Sequence, residues 1–356
     1  MKRPFVIDGV CHPYNFKPDN LNGRFGRIFN DVMHSFHPLV NPPGKAMTRE
    51  EWESDWQPEE FIETMLLESW TDICAVHSTP IYDAYADGLV SNEKGAYLKQ
   101  KYPDRVIWYT CVDLFDDPKK VQRTLEENLA KGADGIKLYP SRYVDGFTES
   151  WRMDSREVAF PVFELARKHG IKNVAVHKAL PIGPINSEGM RVDDISAAAN
   201  RYQEINFQIV HAGFMFVDET KMLMMNHPNI YATMEASMLF AILNPMEQVR
   251  LFSEFFGAGG FERVIYASAA VNPHPQIVLE ALANFQMPQG NPFQLTEQAR
   301  AQIMGGNLAR LHGIDVEQRK QALAADRFEV ARGKDGLRAP WSSARASRAQ
   351  ASRNHG

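Results

Sequence analysis

The segment Gly170-Ile-Lys-Asn-Val-Ala-Val-His-Lys-Ala-Leu-Pro181 indicates the architecture of the chain, because it joins a short apolar strand to a histidine and a proline-bounded loop. A buried strand over Asn173 to Val176 places His177 at the rim of a sheet. The same order recurs at Phe207-Gln-Ile-Val-His211, and a variant of it occurs at Val6-Ile-Asp-Gly-Val-Cys-His12. Core packing explains three such histidines poorly, since His is a poor core residue and a good metal ligand at neutral pH.

Short apolar segments alternate with longer helical patterns along most of the chain. The expected strands are Phe5–Val10, Asp72–Val76, Val106–Val112, Gly135–Tyr139, Asn173–Val176, Phe207–Val210, Ile230–Met234 and Arg263–Ala267. The expected helices that follow them are Pro58–Trp70, Glu93–Lys101, Pro118–Lys131, Arg156–His169, Val192–Tyr202, Asp218–Asn226, Pro245–Phe256 and Pro275–Phe285. Eight parallel strands covered by helices close into a barrel. We therefore predict a (β/α)8 TIM barrel with its site at the C-terminal ends of the strands.

Three segments lie outside this alternation. Residues 13–57 are rich in aromatic residues, Pro, Gly and Asn, and we expect a long loop insertion after strand 1 that covers the site as a lid. Residues 295–304 and 307–311 are expected to form C-terminal helices that pack on the barrel. The expected domains are the barrel, residues 1–329, and a basic Ala/Ser/Arg-rich tail, residues 330–356, that is mobile or bound to a partner.

Composition excludes several classes of protein. The chain is 44% hydrophobic and 23% charged, which is enough apolar material for a large core. Its net charge is −5, but residues 330–356 hold six Lys or Arg and one Asp, which leaves −10 for the rest. This acidic body argues against nucleic-acid binding. We expect no membrane span, since no apolar run approaches 18 residues, and no export signal.

The three cysteines, Cys11, Cys74 and Cys111, do not form an even disulfide framework. We therefore expect reduced thiols and a cytoplasmic location. Cys11 lies between Val10 and His12, so strand alternation turns it away from the barrel axis, and we expect it to pack rather than to bind a metal.

Several motifs together resemble the amidohydrolase superfamily. They are Asp8-x-x-x-His12, Gly135-Ile-Lys-Leu-Tyr-Pro140, Val176-His-Lys-Ala-Leu-Pro181, His211-Ala-Gly213, Tyr266-Ala-Ser268 and Ile303-Met-Gly-Gly-Asn307. The chain is similar over about residues 4–315 to the amidohydrolase-2 branch, which includes aminocarboxymuconate-semialdehyde decarboxylase and the resorcylate-type decarboxylases.

This resemblance implies a divalent metal, usually zinc or manganese, held by a His-x-His pair on strand one, a His after strand five and an Asp after strand eight. A further His after strand six assists catalysis or binds a second metal. The matching residues here are His12, His177 and His211, which we predict as metal ligands. Val10 and Ala269 stand where the first His and the Asp are expected. Zinc is the metal we expect, with manganese or iron as alternatives.

The replacement by Ala269 removes the group that, in the family, accepts the proton of metal-bound water. Two residues are candidates to replace it as ligand or base. Lys137 ends strand four, where other branches carry a carboxylated lysine between two metals, although an ordinary lysine paired with an acid is the simpler interpretation. Glu235 follows strand seven, near the rim of the barrel. A solvated loop acid or a helix-capping residue is the simpler interpretation of this glutamate.

Substrate-binding candidates come from position alone. Arg142 and Arg152 lie in the loop after strand four, where they are placed to pair with a substrate carboxylate. His77, at the end of strand two, is a further candidate, and a structural role is its simpler interpretation.

The sequence leaves four functions open. The chain is either a metal-dependent hydrolase or decarboxylase of a small polar or carboxylated molecule with a rearranged ligand set, or a supporting subunit of a hetero-oligomer with an intact paralogous barrel. The residues Val10 and Ala269 favour the second hypothesis. Two narrower alternatives are an engineered Asp-to-Ala change at position 269 and a place in a dinuclear-metal oxygenase whose partner holds the full ligand set. We expect an oligomer, with a paralogous barrel as candidate partner.

Overall fold

The apolar segments form eight short parallel strands in one sheet that curls around a common axis. The computed structural model describes residues 3–212 and 214–354. Its barrel strands are β1 (Ile7–Cys11), β2 (Ile73–His77), β3 (Val106–Cys111), β4 (Gly135–Leu138), β7 (Asn173–His177), β8 (Asn206–Val210), β9 (Ile230–Thr233) and β10 (Val264–Ile265), and between β4 and β7 lies an antiparallel hairpin of β5 (Ser141–Val144) and β6 (Phe147–Ser150). The strands pair in this order, which confirms the predicted (β/α)8 TIM barrel.

Helices surround the sheet. They are α1 (Gly23–Val40), α2 (Arg49–Trp52), α3 (Pro58–Leu67), α4 (Asn92–Lys101), α5 (Pro118–Ala130), α6 (Ala159–Lys168), α7 (Ile195–Arg201), α8 (Val217–Asn226), α9 (Phe240–Leu243), α10 (Pro245–Gly259), α11 (Pro275–Asn284), α12 (Glu297–Ala301), α13 (Asn307–Leu311), α14 (Val316–Leu323), α15 (Arg327–Asp335) and α16 (Ser342–Asn354). One face of each strand packs on the helices, and the other fills the barrel interior with residues such as Ile7, Val10 and Ala175. This packing leaves the C-terminal strand ends as the place for polar side chains.

The barrel closes between β1 and β10 through a few specific contacts. Gly9 N–H donates to Tyr266 O at 3.0 Å, and the backbone there is so close that a Cβ at Gly9 would lie 2.7 Å from that oxygen. The buried Asp8 carboxyl accepts hydrogen bonds from the Ser268 N–H, at 2.9 Å, and from the Ser268 hydroxyl. Burial raises the pKa of Asp8 to about 7, and the two bonds from Ser268 oppose this rise.

The insertion after β1 is not the long loop that the sequence predicts. It contains α1, an 18-residue helix, and the short helix α2. Its Pro, Gly and Asn content suggested a loop, but Phe25, Phe29 and Met33 recur every four residues and form one apolar helix face. The same segment does cover the site, as described below.

The C-terminal residues continue as helices on the side of the barrel. The domain boundary expected at residue 330 falls inside α15, and α16 packs against α3. Arg348 pairs with the buried Glu60 at 3.0 Å. Residues 355–356 of the expected tail, and Gly213 of the His-Ala-Gly motif, lie outside the described residues.

Cys11, Cys74 and Cys111 are buried free thiols, and the Cys11 thiol donates to the Ala75 carbonyl at 3.3 Å. Within residues 3–212 and 214–354, no helix has the length and apolar character needed to span a membrane.

We predict that Ser268→Ala weakens barrel closure. The change removes one of the donors to the buried Asp8 carboxyl, and such a loss costs about 1–3 kcal/mol of folding stability. Urea unfolding measures it, with Ser347→Ala on the exposed face of α16 as the matched control. An unfolding midpoint equal to that of the control would contradict this role of Ser268.

Candidate active site

A cavity of about 230 Å³ opens at the C-terminal end of the barrel. Its floor is polar and is formed by His12, Lys137, His177, His211 and Glu235. Its walls and roof are mostly apolar and aromatic, and they include Tyr14, Phe29, Val32, Met33, Phe36, Ile81, Leu89, Tyr139, Leu180, Ile182, Phe214 and Leu239. One small compartment therefore combines several ionisable groups with a largely apolar enclosure.

The five floor residues come from five different strand ends. His12 follows β1, Lys137 lies within β4, His177 ends β7, His211 follows β8 and Glu235 lies two residues after β9. All five side chains are at least nine-tenths buried. The structure therefore brings together the residues that the sequence predicted as metal ligands and as replacement base.

The three predicted substrate-binding residues do not line this cavity. Arg142 is on the β5–β6 hairpin and pairs with Glu149 at 2.6 Å, while Arg152 pairs with Asp154 and Asp193. Both guanidinium groups are therefore engaged by carboxylates outside the cavity.

His77 lies beneath the cavity floor, where its ring stacks on Tyr109 with 4.2 Å between the ring centroids. It contributes through its backbone, because the His77 carbonyl accepts a hydrogen bond from His12 Nδ1 at 2.9 Å.

Two histidines and a glutamic acid form a continuous chain of contacts. His177 Nε2 lies 2.8 Å from the Leu180 carbonyl oxygen, and His211 Nε2 lies 2.8 Å from His177 Nδ1. The Glu235 carboxyl contacts His211 Nδ1. A carbonyl only accepts, so His177 carries its hydrogen on Nε2, and its Nδ1 must accept from His211 Nε2–H. A neutral His211 then presents an unprotonated Nδ1 that lies against the Glu235 carboxyl, and in the arrangement observed neither this nitrogen nor Glu235 Oε2 makes a hydrogen bond.

The electrostatics agree with this assignment. Burial raises the pKa of Glu235 to about 7, although His12 and Lys137 oppose the rise. Burial also lowers the pKa values of His177 and His211 well below the usual range, with Lys137 adding to the effect on both rings. At mildly acidic pH, such as pH 6, His177 and His211 are therefore neutral and the Glu235 carboxyl is mostly protonated.

Among the residues that the structure describes, Lys137 is the only lysine on the cavity floor, and it is 2% exposed. Burial lowers its pKa to about 7, and attraction to Glu235 opposes this fall. Lys137 and Glu235 are therefore two ionisable groups of opposite type with pKa values near neutrality, which is a property typical of reactive sites.

The chemistry of the three histidines fits a divalent metal. Each has one ring nitrogen directed at a backbone carbonyl or at a carboxyl, which is the usual way in which proteins orient a metal-bound histidine. The nitrogens left for an ion are His12 Nε2, His177 Nδ1 and His211 Nε2. With Nδ1 of His211 protonated toward a Glu235 carboxylate, two lone pairs would face each other at 2.8 Å, and only a cation between them relieves that repulsion.

In the arrangement observed, the cation between His177 Nδ1 and His211 Nε2 is a proton. Accordingly, no group of three or more His, Cys, Asp or Glu side chains among the described residues is already arranged to hold a metal ion. Val10 is fully buried in the barrel interior, whereas Ala269 borders the cavity. The ligand assignment of His12, His177 and His211 therefore stays a prediction.

Sequence reasoning missed the aromatic side chains beside the histidines. Tyr139 stacks on His177 with ring centroids 4.1 Å apart, and Tyr14 stacks on His12 at 4.9 Å. Tyr139 directly follows the strand that carries Lys137, so its position was available as a signal.

We predict that Glu235→Gln removes a proton from the metal-binding reaction. Binding of Zn²⁺ to His211 Nε2 would place a double positive charge close to the Glu235 carboxyl, which lowers the pKa of that carboxyl and releases its proton, whereas a glutamine side chain has no such proton to lose. Because the pKa of Glu235 is about 7, the wild type at pH 6 should release about one proton more per ion than the variant. Calorimetry in two buffers with different ionisation enthalpies measures the difference.

The exposed Glu149→Gln variant is the control for this experiment and should match the wild type. Equal proton release from wild type and Glu235→Gln would contradict the proposed proton positions.

A family model described as amidohydrolase matches residues 79–314, about two thirds of the chain. The comparison with curated proteins gave no match. Among solved structures, an uncharacterized TIM-barrel protein from Bordetella bronchiseptica is 17% identical, with a TM-score of 0.65 over 86% of this chain and 98% of that one.

Two similar structures have named activities. A dihydroxybenzoic acid decarboxylase from Polaromonas with bound manganese is 12% identical, with a TM-score of 0.53 over 88% of this chain and 97% of that one. A probable 2-pyrone-4,6-dicarboxylic acid hydrolase from Acinetobacter baumannii is also 12% identical, with a TM-score of 0.53 over 87% and 99%. At these identities the structures support the fold alone, and it is the family model that identifies the chain as a member of the amidohydrolase family, in its amidohydrolase-2 branch.

Proposed function

We propose that the chain is an enzyme that binds a small, mostly apolar carboxylate in the barrel cavity and removes its carboxylate group as CO₂. The observation that carries this proposal is the cavity itself, in which apolar and aromatic walls meet a floor with one lysine, three histidines and one glutamic acid. An anion with an apolar body about the size of an aromatic ring matches both the apolar walls and the polar floor. Membership of a family with carboxylate-processing relatives supports the choice.

Lys137 is the residue we assign to the substrate carboxylate. Its amino group is buried at the base of an apolar cavity. An ammonium group in such a place is stabilised strongly by pairing with an anion. The aromatic walls, including Tyr14 and Tyr139, offer flat surfaces for the remainder of the molecule.

Decarboxylation also suits the ionisable groups. The bond between the carboxylate carbon and its neighbour breaks, CO₂ leaves, and the electron pair stays on the neighbouring carbon, which then needs a proton. Glu235 borders the cavity, and with a pKa of about 7 it can take a proton from solvent even where an ion has displaced its resting proton, so we assign it as proton donor. Solvent then returns a proton to Glu235, which balances the cycle.

The residues that would hold a divalent metal are His12, His177 and His211. When bound, such an ion supplies a Lewis acid that polarises a carboxylate or a neighbouring hydroxyl oxygen. An all-imidazole ligand set supports zinc, as expected from the sequence, with manganese or iron as alternatives. Manganese is the metal named for the Polaromonas decarboxylase.

We predict that Lys137→Met weakens the binding of 2,6-dihydroxybenzoate about 10- to 100-fold, because a hydrogen bond to a charged group contributes about 1.5–3 kcal/mol. Titration calorimetry measures the affinity, and detection of released CO₂ measures turnover. Arg142→Ala is the matched control and should leave the affinity within about twofold, since its guanidinium pairs with Glu149. Equal affinity for the Lys137 variant and the wild type would overturn this assignment of Lys137.

The second candidate function is that of a supporting subunit that assembles with a paralogous barrel. It is favoured by Val10 and Ala269, which stand where the family has two metal ligands, and by the absence of any other carboxylate on the cavity floor besides Glu235, among the residues described. In that case the chemistry lies in the partner, and the cavity of this chain has a structural role.

One double variant separates the two functions. His177→Ala with His211→Ala removes two predicted metal ligands, so an enzyme should lose turnover, whereas a supporting subunit should leave the activity of the assembled complex largely unchanged. Activity is measured on the chain co-purified with a co-expressed paralogous barrel. Thermal melting and the size of the complex must match the wild type, because loss of a structural metal also lowers stability.

A further inference from the structure

The cavity roof comes from a helix that is not part of the barrel. Phe29, Val32, Met33 and Phe36 of α1 all line the cavity from above. The floor beneath them is closed off, since Lys137, for example, is 2% exposed. The α1 helix therefore covers the floor, and the contacts that hold α1 in place keep the floor covered.

The C-terminal end of α1 is tied to the loop that follows β10. His37 is fully buried, and its Nδ1 contacts the Asn272 carbonyl, while its Nε2 accepts from Met47 N–H at 2.7 Å. The Asn41 side chain accepts from His274 N–H at 2.9 Å. These bonds use both ring nitrogens of a neutral His37 and fix the helix end close to Asn272, which itself lines the cavity.

A residue from the far C-terminus completes this cluster. The Trp341 indole is 1% exposed and packs against His37 and Trp56, with ring centroids 5.7 Å and 6.0 Å away. It meets His274 edge-on at 4.8 Å. Its Nε1–H donates to the Lys45 carbonyl at 2.6 Å. Trp341 therefore contacts α1, which covers the cavity as a lid, and also the loop after α1 and the loop after β10.

A buried carboxylate holds Trp341 in this position. Glu68, 1% exposed, accepts from the backbone N–H groups of Trp341 and Ser343, each at 2.6 Å, and from the Ser342 hydroxyl at 3.2 Å. It also contacts His274 Nε2 at 3.1 Å. Glu68 lies directly after α3. Through these contacts it caps the N-terminus of α16, where a negative charge is stabilising. Trp341 has φ of +64°, which a tryptophan adopts only when its surroundings enforce it.

Further along α16, two arginines reach the insertion. Arg345 pairs with Glu51 at 2.6 Å, and Arg348 donates to the Glu51 carbonyl at 2.8 Å and lies over the Trp56 ring. Glu51 and Trp56 both belong to the segment between α1 and α3. The C-terminal segment thus contacts the insertion through an aromatic anchor and through ion pairs.

We propose that residues 337–354 form a strap that holds the α1 lid closed over the cavity, with Trp341 as its anchor, and that release of the strap is the step that opens the cavity. Trp341 is a positioning residue, because it acts on the cavity only through His37 and α1. This device is independent of which molecule the cavity binds and of whether the chain is itself catalytic.

Hydrogen exchange of the full-length chain tests the strap. Trp341→Ala should raise amide exchange in the second half of α1, residues 29–40, at least tenfold, while the barrel strands β1 to β4 keep wild-type protection. Trp341→Phe should give a smaller increase, because it retains the aromatic packing and loses only the donor to Lys45. Gln350→Ala, on an exposed position of α16, is the matched control and should change nothing.

If α16 exchanges faster in Trp341→Ala while residues 29–40 keep wild-type protection, the strap does not hold the lid and the proposal is overturned. If Trp341→Ala fails to fold, the double variant Arg345→Ala with Arg348→Ala replaces it. Raised exchange in residues 29–40 of that variant supports the strap, and unchanged exchange there rejects it.

Discussion

The hydrogen bond between His211 Nε2 and His177 Nδ1 is the contact on which the organisation of the site depends. The outer nitrogen of His177 is already engaged by the Leu180 carbonyl, and the outer nitrogen of His211 lies against the Glu235 carboxyl. One positively charged particle must therefore lie between the inner nitrogens, either a proton or a metal ion. The rigid barrel places the two rings on neighbouring strands, β7 and β8, so they cannot easily turn apart. This constraint links the proton of Glu235 to the metal content of the site.

Whether a proton or a metal ion lies between the two rings affects the neighbouring ionisable groups, because the site is buried. The floor is buried and the walls are largely apolar, so charges there are weakly screened and the pKa values of Lys137 and Glu235 both move to about 7. A small change, such as the arrival of an anion or a cation, then redistributes protons among these groups. The α1 helix covers this compartment, and the contacts around Trp341 keep that lid in place.

Much of this architecture follows from local sequence, and the rest does not. The eight strands and the rim positions of His12, His177 and His211 were predictable because short apolar runs and their polar ends are local features. The helix α1 was missed because its Gly, Asn and Pro residues mask a four-residue apolar repeat. The pairing of Arg142 with Glu149 depends on a hairpin register, and the docking of Trp341 on Glu68 joins residues 273 positions apart, so neither is visible in any local window.

Nitrogen NMR of histidine-labelled protein is the most direct test of the central claim, because the chemical shifts of Nδ1 and Nε2 report which ring nitrogen carries hydrogen. In the metal-free protein at pH 6, His177 and His211 should both be neutral with hydrogen on Nε2. On addition of zinc, His177 should keep that form while the hydrogen of His211 moves to Nδ1. If either ring is doubly protonated at pH 6, or if zinc leaves the His211 shifts unchanged, the assignment of a single shared cation between the two rings is wrong.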